Sequence, residues 1–439
     1  MRPRKDVLEL FRKQEHYINE QVKSGIEQYR KGNCTIEVTD KEGNPVKNAK
    51  VSVCHTKHEF KFGANLFALD QFETEEKSKK YREFFKDIFN IATLPFYWSS
   101  IEPNKGELRF ERGCSEMYRR PPIDHCIEYC EASGIEPREH ALAYQTPFPG
   151  WLHGKGTYEI KKELSRRIAE IAERYADKIP TMEVTNEMYW DLEMTRFYKE
   201  DDYVEWCFRE TEKFMPNNQI AINEHSHTWQ YGSGTNRDRY YMQIEDLLSK
   251  GVRIDAIGTQ FHMFFLREDE YDYTRKTYDP EFLYRFMDKY GEFGLPLQMT
   301  EITIPAYTED PEDEEIQGEI LKYLYSIWFS HPNMEQIVYW NFIDGYAAGD
   351  RGDMTSGENQ YHGGLLRYDL SYKAAGQTLY DLINKEWHTE EDMFTDEGGR
   401  GTFKGFYGEY DVNIEVDGKV STHKINFVKN GDSSFKISL

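Results

Sequence analysis

The chain has no long apolar run. No segment approaches the roughly eighteen consecutive apolar residues of a membrane-spanning helix, so no membrane partner is expected. Positive charge is in deficit. Fifty-five Lys and Arg face 78 Asp and Glu, a formal net charge of −23. Such a surface repels polyanions, which argues against nucleic acid as a partner. Cysteine is sparse: Cys34, Cys54, Cys114, Cys126, Cys130 and Cys207. None of them forms a CxxC or a Cys/His metal spacing, so neither a metal nor a disulfide framework is expected. Cys126 and Cys130 are four apart and share a helix face as core thiols. His225 and His227 are two apart but have no evident third ligand, and a substrate-loop or structural role fits them better than zinc. Neither a glycine-rich phosphate loop nor a GxSxG elbow is present, and no cofactor is expected. The N-terminal MRPRKDVLELFRKQEHY has no apolar leader core and reads as a charged amphipathic helix. The expectation is a cytoplasmic protein if Met1 is the native start, and a secreted one if a signal peptide has been removed.

What the chain does have is aromatic side chains: 31 Tyr, 27 Phe and 8 Trp, 15% of 439 residues. That is enough for a large core and for a groove with flat apolar faces. Short apolar runs alternate with helical stretches through most of the length. The candidate strands are KFGANLFALD (61–70), FNIATLPFYW (89–98), IEPREHALAY (135–144), TMEVTNE (181–187), QIAIN (219–223), DAIGTQFH (255–262), LPLQMTE (295–301) and QIVYWNF (336–342). Helices fill the gaps, for example 159–176 and 313–330. Eight such units predict an α/β protein, a (β/α)8 TIM barrel, over residues 61–388. Residues 5–31 read as one helix, which fills the N-terminal segment 1–32. Residues 33–60 read as a hairpin around Glu-Gly-Asn-Pro, and 400–439 alternates apolar and polar residues around Asp-Gly and Asn-Gly turns. Neither piece suffices alone, so the two are expected to pair into one discontinuous β-sandwich. The acidic, glycine-bearing stretch 389–399 reads as the linker into it. The run EDPEDEE (309–315) reads as a solvated face that suits the positive end of a following helix.

Two glutamates stand out against this background. Glu187 and Glu301 each close an apolar strand, the fourth and the seventh. In a barrel the ends of strands carry the chemistry, and a pair of carboxylates there suits the acid/base and nucleophile of a glycosidase. The alternative is a pair of strand caps neutralised by Arg or Lys.

At this point the chain resembles family 10 of the glycoside hydrolases, the endo-1,4-β-xylanases, over roughly residues 60–388. Asn186-Glu187 matches the family's acid/base motif and MTEI (299–302) its nucleophile motif. DAIGTQFH carries Gln260 and His262, HALAYQTPFPGWL (140–152) aligns with the segment after the third strand, and YWNFID (339–344) with the segment after the eighth. The resemblance implies that Glu187 is the general acid/base and Glu301 the nucleophile. It implies that Asn186 bonds the sugar 2-hydroxyl, that His140, Gln260 and His262 line the subsite of the cleaved sugar, and that Trp340 is its apolar floor. Asn223, at the end of the fifth strand, joins the substrate-binding set.

The chain also departs from the family. Thr93, Leu94 and Tyr97 stand where Glu, Asn and Lys are expected. Tyr144 and Gln145 replace Trp and His, and the second Trp falls at Ala348. The glycone side is therefore rebuilt, with Tyr97 and Tyr144 as candidate sugar contacts. The long loop 345–364 offers Tyr361 and His362 as further contacts. The expectation is a retaining hydrolase of β-1,4-xylosidic bonds in xylan or xylo-oligosaccharides. The alternatives are a decorated xylan or another β-linked glycan, and a catalytically weak carbohydrate-binding protein.

Overall fold

The computed structural model describes residues 2–189 and 195–439. Eight parallel strands form the centre: Lys61–Asn65, Ile91–Pro95, Glu136–His140 with its continuation Ala143–Tyr144, Thr181–Asn186, Gln219–Glu224, Ala256–His262, Leu297–Thr303 and Met334–Tyr339. Each pairs with its neighbours in sequence, and the eighth pairs with the first through Gln336–Tyr339 and Lys61–Ala64, closing the barrel. The strands are buried along nearly their whole length, because helices cover the outside and side chains fill the inside.

A helix follows each strand: Glu75–Ile88, Ile123–Ser133, Thr157–Tyr175, Tyr203–Phe214, Arg239–Ser249, Pro280–Gly291, Pro311–Ser330 and Ala374–Asp381. The start of the seventh shows how sequence sets the boundary. Asp310 caps the helix, its carboxylate accepting from Glu312 N at 2.9 Å, and Pro311 occupies the first turn, where no N–H is needed. The acidic run lies at the positive helix end, as its composition suggests. It is not wholly a solvated face, however. Asp313 is buried and accepts from Arg267 at 2.8 Å, and buried Glu314 pairs with Arg367.

The two chain ends build a second unit. A three-stranded sheet runs Arg400–Phe406, Lys31–Thr39, Ser434–Ser438, and a four-stranded sheet runs Glu390–Phe394, Lys50–His58, Gly408–Val416, Lys419–Phe427. Their inward faces share a core that includes Ile36, Val38, Val51, Val53, Phe403, Tyr410, Val412, Ile414 and Phe427. Asp417 and Gly418 both have positive φ, 50° and 75°, the turn that Asp-Gly favours in a two-residue hairpin.

Three expectations need correction. Residues 33–60 turn back at Glu-Gly-Asn-Pro, where Thr39 bridges Pro45, but their two long strands do not pair as a hairpin. The strands Lys31–Thr39 and Lys50–His58 enter different sheets, and each finds its partners in the C-terminal segment. Residues 389–399 are not simply a linker, because Glu390–Phe394 pairs antiparallel with Lys50–Cys54 as the edge of the four-stranded sheet. Its charged, exposed residues suit an edge strand, which has a free side to protect. The N-terminal helix is not continuous over 1–32. A 3₁₀ turn at Arg4–Leu8 leads into helices Glu9–Lys13 and Glu15–Tyr29, broken at Gln14, and the first strand of the sandwich already starts at Lys31. The apolar face of this segment, Val7, Leu8, Phe11, Ile18 and Ile26, packs into the barrel's own core. Gly25 allows close contact there, since a Cβ would lie 2.3 Å from Ser330 O.

The sandwich meets the barrel near the N-terminal end of the first barrel strand, where His58 and Phe406 pack against Phe329. That end is opposite the barrel mouth. The six cysteines are free thiols.

Candidate active site

Two irregularities in the strands shape the barrel mouth. The fourth strand ends at Asn186, and Glu187 follows with φ of 51°, a left-handed conformation that costs a non-glycine residue about 1 kcal/mol or more. The seventh strand shifts register between Met299 and Glu301 against the sixth. Such a bulge re-aims side chains. Glu301 therefore lies inside the strand, two residues before its end at Thr303, and not at the end itself.

The two carboxylates meet at one amide. Gln260 Nε2 lies 2.9 Å from Glu187 Oε1, 3.0 Å from Glu301 Oε1 and 3.2 Å from Asn186 Oδ1. Oxygens held this close to one nitrogen lie nearer each other than the ~6.5 Å at which inverting pairs begin. Tyr144 donates its hydroxyl to Glu187 Oε2 at 2.8 Å. Asn223 Nδ2 reaches Asn186 Oδ1 at 2.9 Å, Glu183 Oε1 at 3.2 Å and Glu301 Oε1 at 3.4 Å. These contacts leave the buried Asn186 Nδ2 without a partner among the described residues, a donor at the mouth of the barrel.

Two histidines flank Glu301 in different states. Burial lowers His262 to about 4, so its ring is neutral. Its Nε2 lies 3.2 Å from Glu301 Oε2 and its Nδ1 3.0 Å from Thr303 Oγ1. The neutral ring satisfies both by donating to the carboxylate and accepting from the hydroxyl. For His140 burial also works against the charge, but Glu183 and Glu301 outweigh it and hold the imidazole above its ordinary value. Its Nδ1 donates to Glu183 Oε1 at 2.9 Å, and its Nε2 lies 3.2 Å from the Tyr97 hydroxyl. When Nε2 carries a proton it donates to the Tyr97 oxygen, which leaves the phenol proton of Tyr97 free to donate elsewhere.

Glu183 is the residue that sequence reasoning missed. It lies fully buried in the run TMEVTNE, four residues before Glu187, and accepts from Arg138 at 2.5 Å as well as from His140. Burial opposes its charge, but His140 and Arg138 win and hold its carboxyl below the usual range. Burial raises Glu301, to about 8; His140 opposes this, while Glu183 and Glu187 add to it. A neighbouring carboxylate resists the ionisation of Glu301, so Glu301 holds its proton to higher pH than an isolated glutamate would. His140, Glu183 and Glu301 offer ligand atoms within 4.8 Å of one another. Their oxygens are already engaged by Arg138, His140, Asn223 and Gln260, which makes the cluster a charge-paired network.

Trp340 is buried edge-on to His140, with ring centroids 5.2 Å apart at 75°, and Phe67 supports it from behind at 5.1 Å. Tyr97 lies 5.3 Å from the His140 ring and 6.0 Å from that of Tyr144. Tyr361 stands one layer further out. It stacks on Phe264 at 4.8 Å, and Phe264 stacks on His262 at 4.7 Å. Tyr97, His140, Tyr144, Asn186, Asn223, Gln260, His262 and Trp340 thus converge around the two carboxylates, and Tyr361 reaches them through Phe264. The loop 345–364 is fastened by its own hydrogen bonds, including Asn359 Oδ1 with Ala347 N at 2.9 Å. Through Glu358 it reaches Asn341, next to Trp340, at 2.5 Å. Leu94 is buried in the barrel core, and Ala348 is exposed and brings no ring to the site. Among the described residues no helix is long and apolar enough to cross a membrane.

Comparison with known proteins identifies the family. The model of glycosyl hydrolase family 10 matches residues 54–355. The chain is 26% identical over 407 residues to the anti-sigma-I factor RsgI6 of Acetivibrio thermocellus, covering 91% of this chain and 47% of that protein. It is 23% identical over 409 residues to endo-1,4-beta-xylanase 2 of Arabidopsis thaliana, covering 91% of this chain and 34% of that one. The chain therefore spans less than half the length of these two relatives. Among solved structures, xylanase 10B from Thermotoga petrophila in complex with xylobiose superposes with a TM-score of 0.59 at 21% identity, covering 75% of this chain and 95% of that one.

Proposed function

This chain belongs to glycosyl hydrolase family 10, and we propose that it cleaves β-1,4-xylosidic bonds of xylan or xylo-oligosaccharides by double displacement with retention. The observation that carries the reading is the single amide of Gln260 shared by Glu187 and Glu301. In the first step protonated Glu187 gives its proton to the leaving oxygen while Glu301 attacks the anomeric carbon and forms a glycosyl ester. In the second, Glu187 as carboxylate takes a proton from water, which displaces Glu301 and frees the sugar. Gln260, Asn223 and neutral His262 spread the charge of Glu301. The Asn186 amide donates to the 2-hydroxyl as positive charge develops on the ring. Trp340 supplies the apolar floor, and Tyr97 donates to a sugar hydroxyl.

A xylohexaose digest followed by proton NMR tests this reading. Products that first appear as the β-anomer, and vanish with Glu301→Gln, support it. First products in the α-form would reject it. A second reading, glycan binding with little turnover, draws on the rebuilt residues Leu94, Tyr97 and Ala348 and on a relative named as an anti-sigma factor. Tight binding of xylohexaose without release of reducing ends would favour it.

A further inference from the structure

The residues between the second barrel strand and its helix build a basic pocket beside the cleft. A cavity of about 630 Å³ is lined there by Arg109, Arg112, Arg120 and Arg351, with Leu69, Phe72, Met117 and Tyr118 among its apolar walls. That volume suits a small ligand. Such a concentration of guanidinium groups is unexpected in a chain of net charge −23.

Two of the four are already engaged. Arg109 donates to the carbonyls of Ser100, Ser115 and Arg120, and Arg112 pairs with Glu128. Arg120 and Arg351 are not neutralised. Among the described residues neither has a carboxylate within salt-bridge distance, and the one hydrogen bond from the Arg120 side chain goes to Arg119 O at 2.7 Å. Most of its five N–H groups are thus open. Of the acids that line the cavity, Asp70 is tied to Arg82 and His125, and Glu116 is exposed.

Arg120 also joins the pocket to the catalytic cleft. Its guanidinium lies 4.1 Å from the centre of the Tyr97 ring, and the Tyr97 hydroxyl lies 3.2 Å from His140. The backbone holds it there. Arg119 takes a left-handed φ of 58°, with its N–H donating to Gln71 at 2.6 Å and its side chain to Tyr346 O at 2.5 Å, so the next residue turns toward Tyr97. Arg351 comes from the loop after the eighth strand and lies 4.9 Å from the Tyr118 ring across the same cavity.

We propose that this pocket is a subsite for a uronic acid unit of the glycan, with Arg120 and Arg351 holding its carboxylate and the apolar walls meeting its ring. A guanidinium pairs with a carboxylate through two parallel hydrogen bonds, which no neutral sugar offers. This inference rests on the glycan-hydrolase reading and names the substrate class for that site: a β-1,4-linked backbone carrying acidic branches.

The test compares xylo-oligosaccharides of one backbone length: unsubstituted, uronic acid-substituted, and the methyl ester of the latter. Wild type is expected to show kcat/KM at least about tenfold higher for the acid than for the unsubstituted chain, the gain of a charge-assisted hydrogen bond. The ester keeps the branch and loses the charge, so its advantage should vanish. Arg120→Gln should abolish the acid-over-ester ratio. Arg351→Gln, at an exposed side chain, should lower it severalfold and serves if the first variant does not fold. Equal hydrolysis of all three by wild type would overturn the subsite and leave the hydrolase reading standing. Hydrolysis of none would overturn that reading instead. Calorimetric binding of the same compounds to Glu301→Gln would then decide the subsite, with a tenfold preference for the acid supporting it and equal affinities rejecting it.

Discussion

Replacing Glu183 with Gln tests the electrostatic frame beneath the catalytic pair. The Arg138–Glu183 pair is fully buried, and among the described residues no other carboxylate accepts from Arg138. Glu183 also receives the His140 proton. Removing one partner of a buried pair leaves an uncompensated charge and costs about 3–5 kcal/mol. The penalty should depend on pH, and its sign follows from two groups. The folded-state pKa of Glu183 lies below its unfolded value, so its contribution is complete above about 4.3 and is lost as pH falls through the folded value. The folded-state pKa of His140 lies above its unfolded value, so its contribution is complete below about 6.5 and is lost as pH rises through the folded value. Both are complete between about pH 5 and 6. Urea unfolding of wild type and Glu183→Gln at pH 5.5 and pH 9 measures the effect. The larger loss is expected at pH 5.5, and it should shrink, never grow, as pH rises through the folded value of His140 and leaves the pair with Arg138. A loss below about 1 kcal/mol at pH 5.5, or a larger loss at pH 9 than at pH 5.5, would refute the reasoning.

Tyr144→Phe removes the hydroxyl that donates to Glu187 at 2.8 Å and leaves the ring in place. Turnover on xylohexaose should fall about tenfold with unfolding unchanged, the scale of one hydrogen bond, as initial rates will measure. Gln260→Leu removes the amide shared by both carboxylates and should lower kcat by at least about a hundredfold with little change in KM, read from full Michaelis curves. Burial and neighbouring carboxylates raise Glu301, so the fraction ionised should climb only above the ordinary carboxylate range. A kcat/KM profile from pH 4 to 9 should place its acid limb above about 4.3, and a limb at or below that value would contradict the burial argument.

Much of the barrel was legible because its strands are apolar runs between helical stretches, and because the carboxylates at 187 and 301 interrupt that pattern. The supporting charges were harder to see. Arg138, Glu139 and Glu183 lie within strands, where alternation assigns them no role until the third and fourth strands are known to adjoin. Glu139 is such a case: burial pushes its carboxyl well up, and it accepts from Glu183 N at 3.0 Å. Its place in the sequence says nothing of that shift. The sandwich was readable as a composite of both chain ends, but its pairings were not. Lys31–Thr39 and Lys50–His58 look like a hairpin locally, yet their partners lie more than three hundred residues away. The acidic composition of 389–399 resembles a linker for the same reason that it suits an exposed edge strand. Arg120 sits in an irregular loop with no periodicity, and only the contact with Tyr97 gives it meaning.

The central claim is that Glu301 attacks the anomeric carbon. An activated 2-deoxy-2-fluoro xylobioside slows breakdown of a glycosyl ester more than it slows release of a good leaving group, so the intermediate accumulates. Mass spectrometry of the intact protein, followed by peptide mapping, reads it directly. The account predicts one added disaccharide per chain, on the peptide that contains Glu301. A label on Glu187, or no label while the same compound is turned over to the inverted sugar, would contradict it.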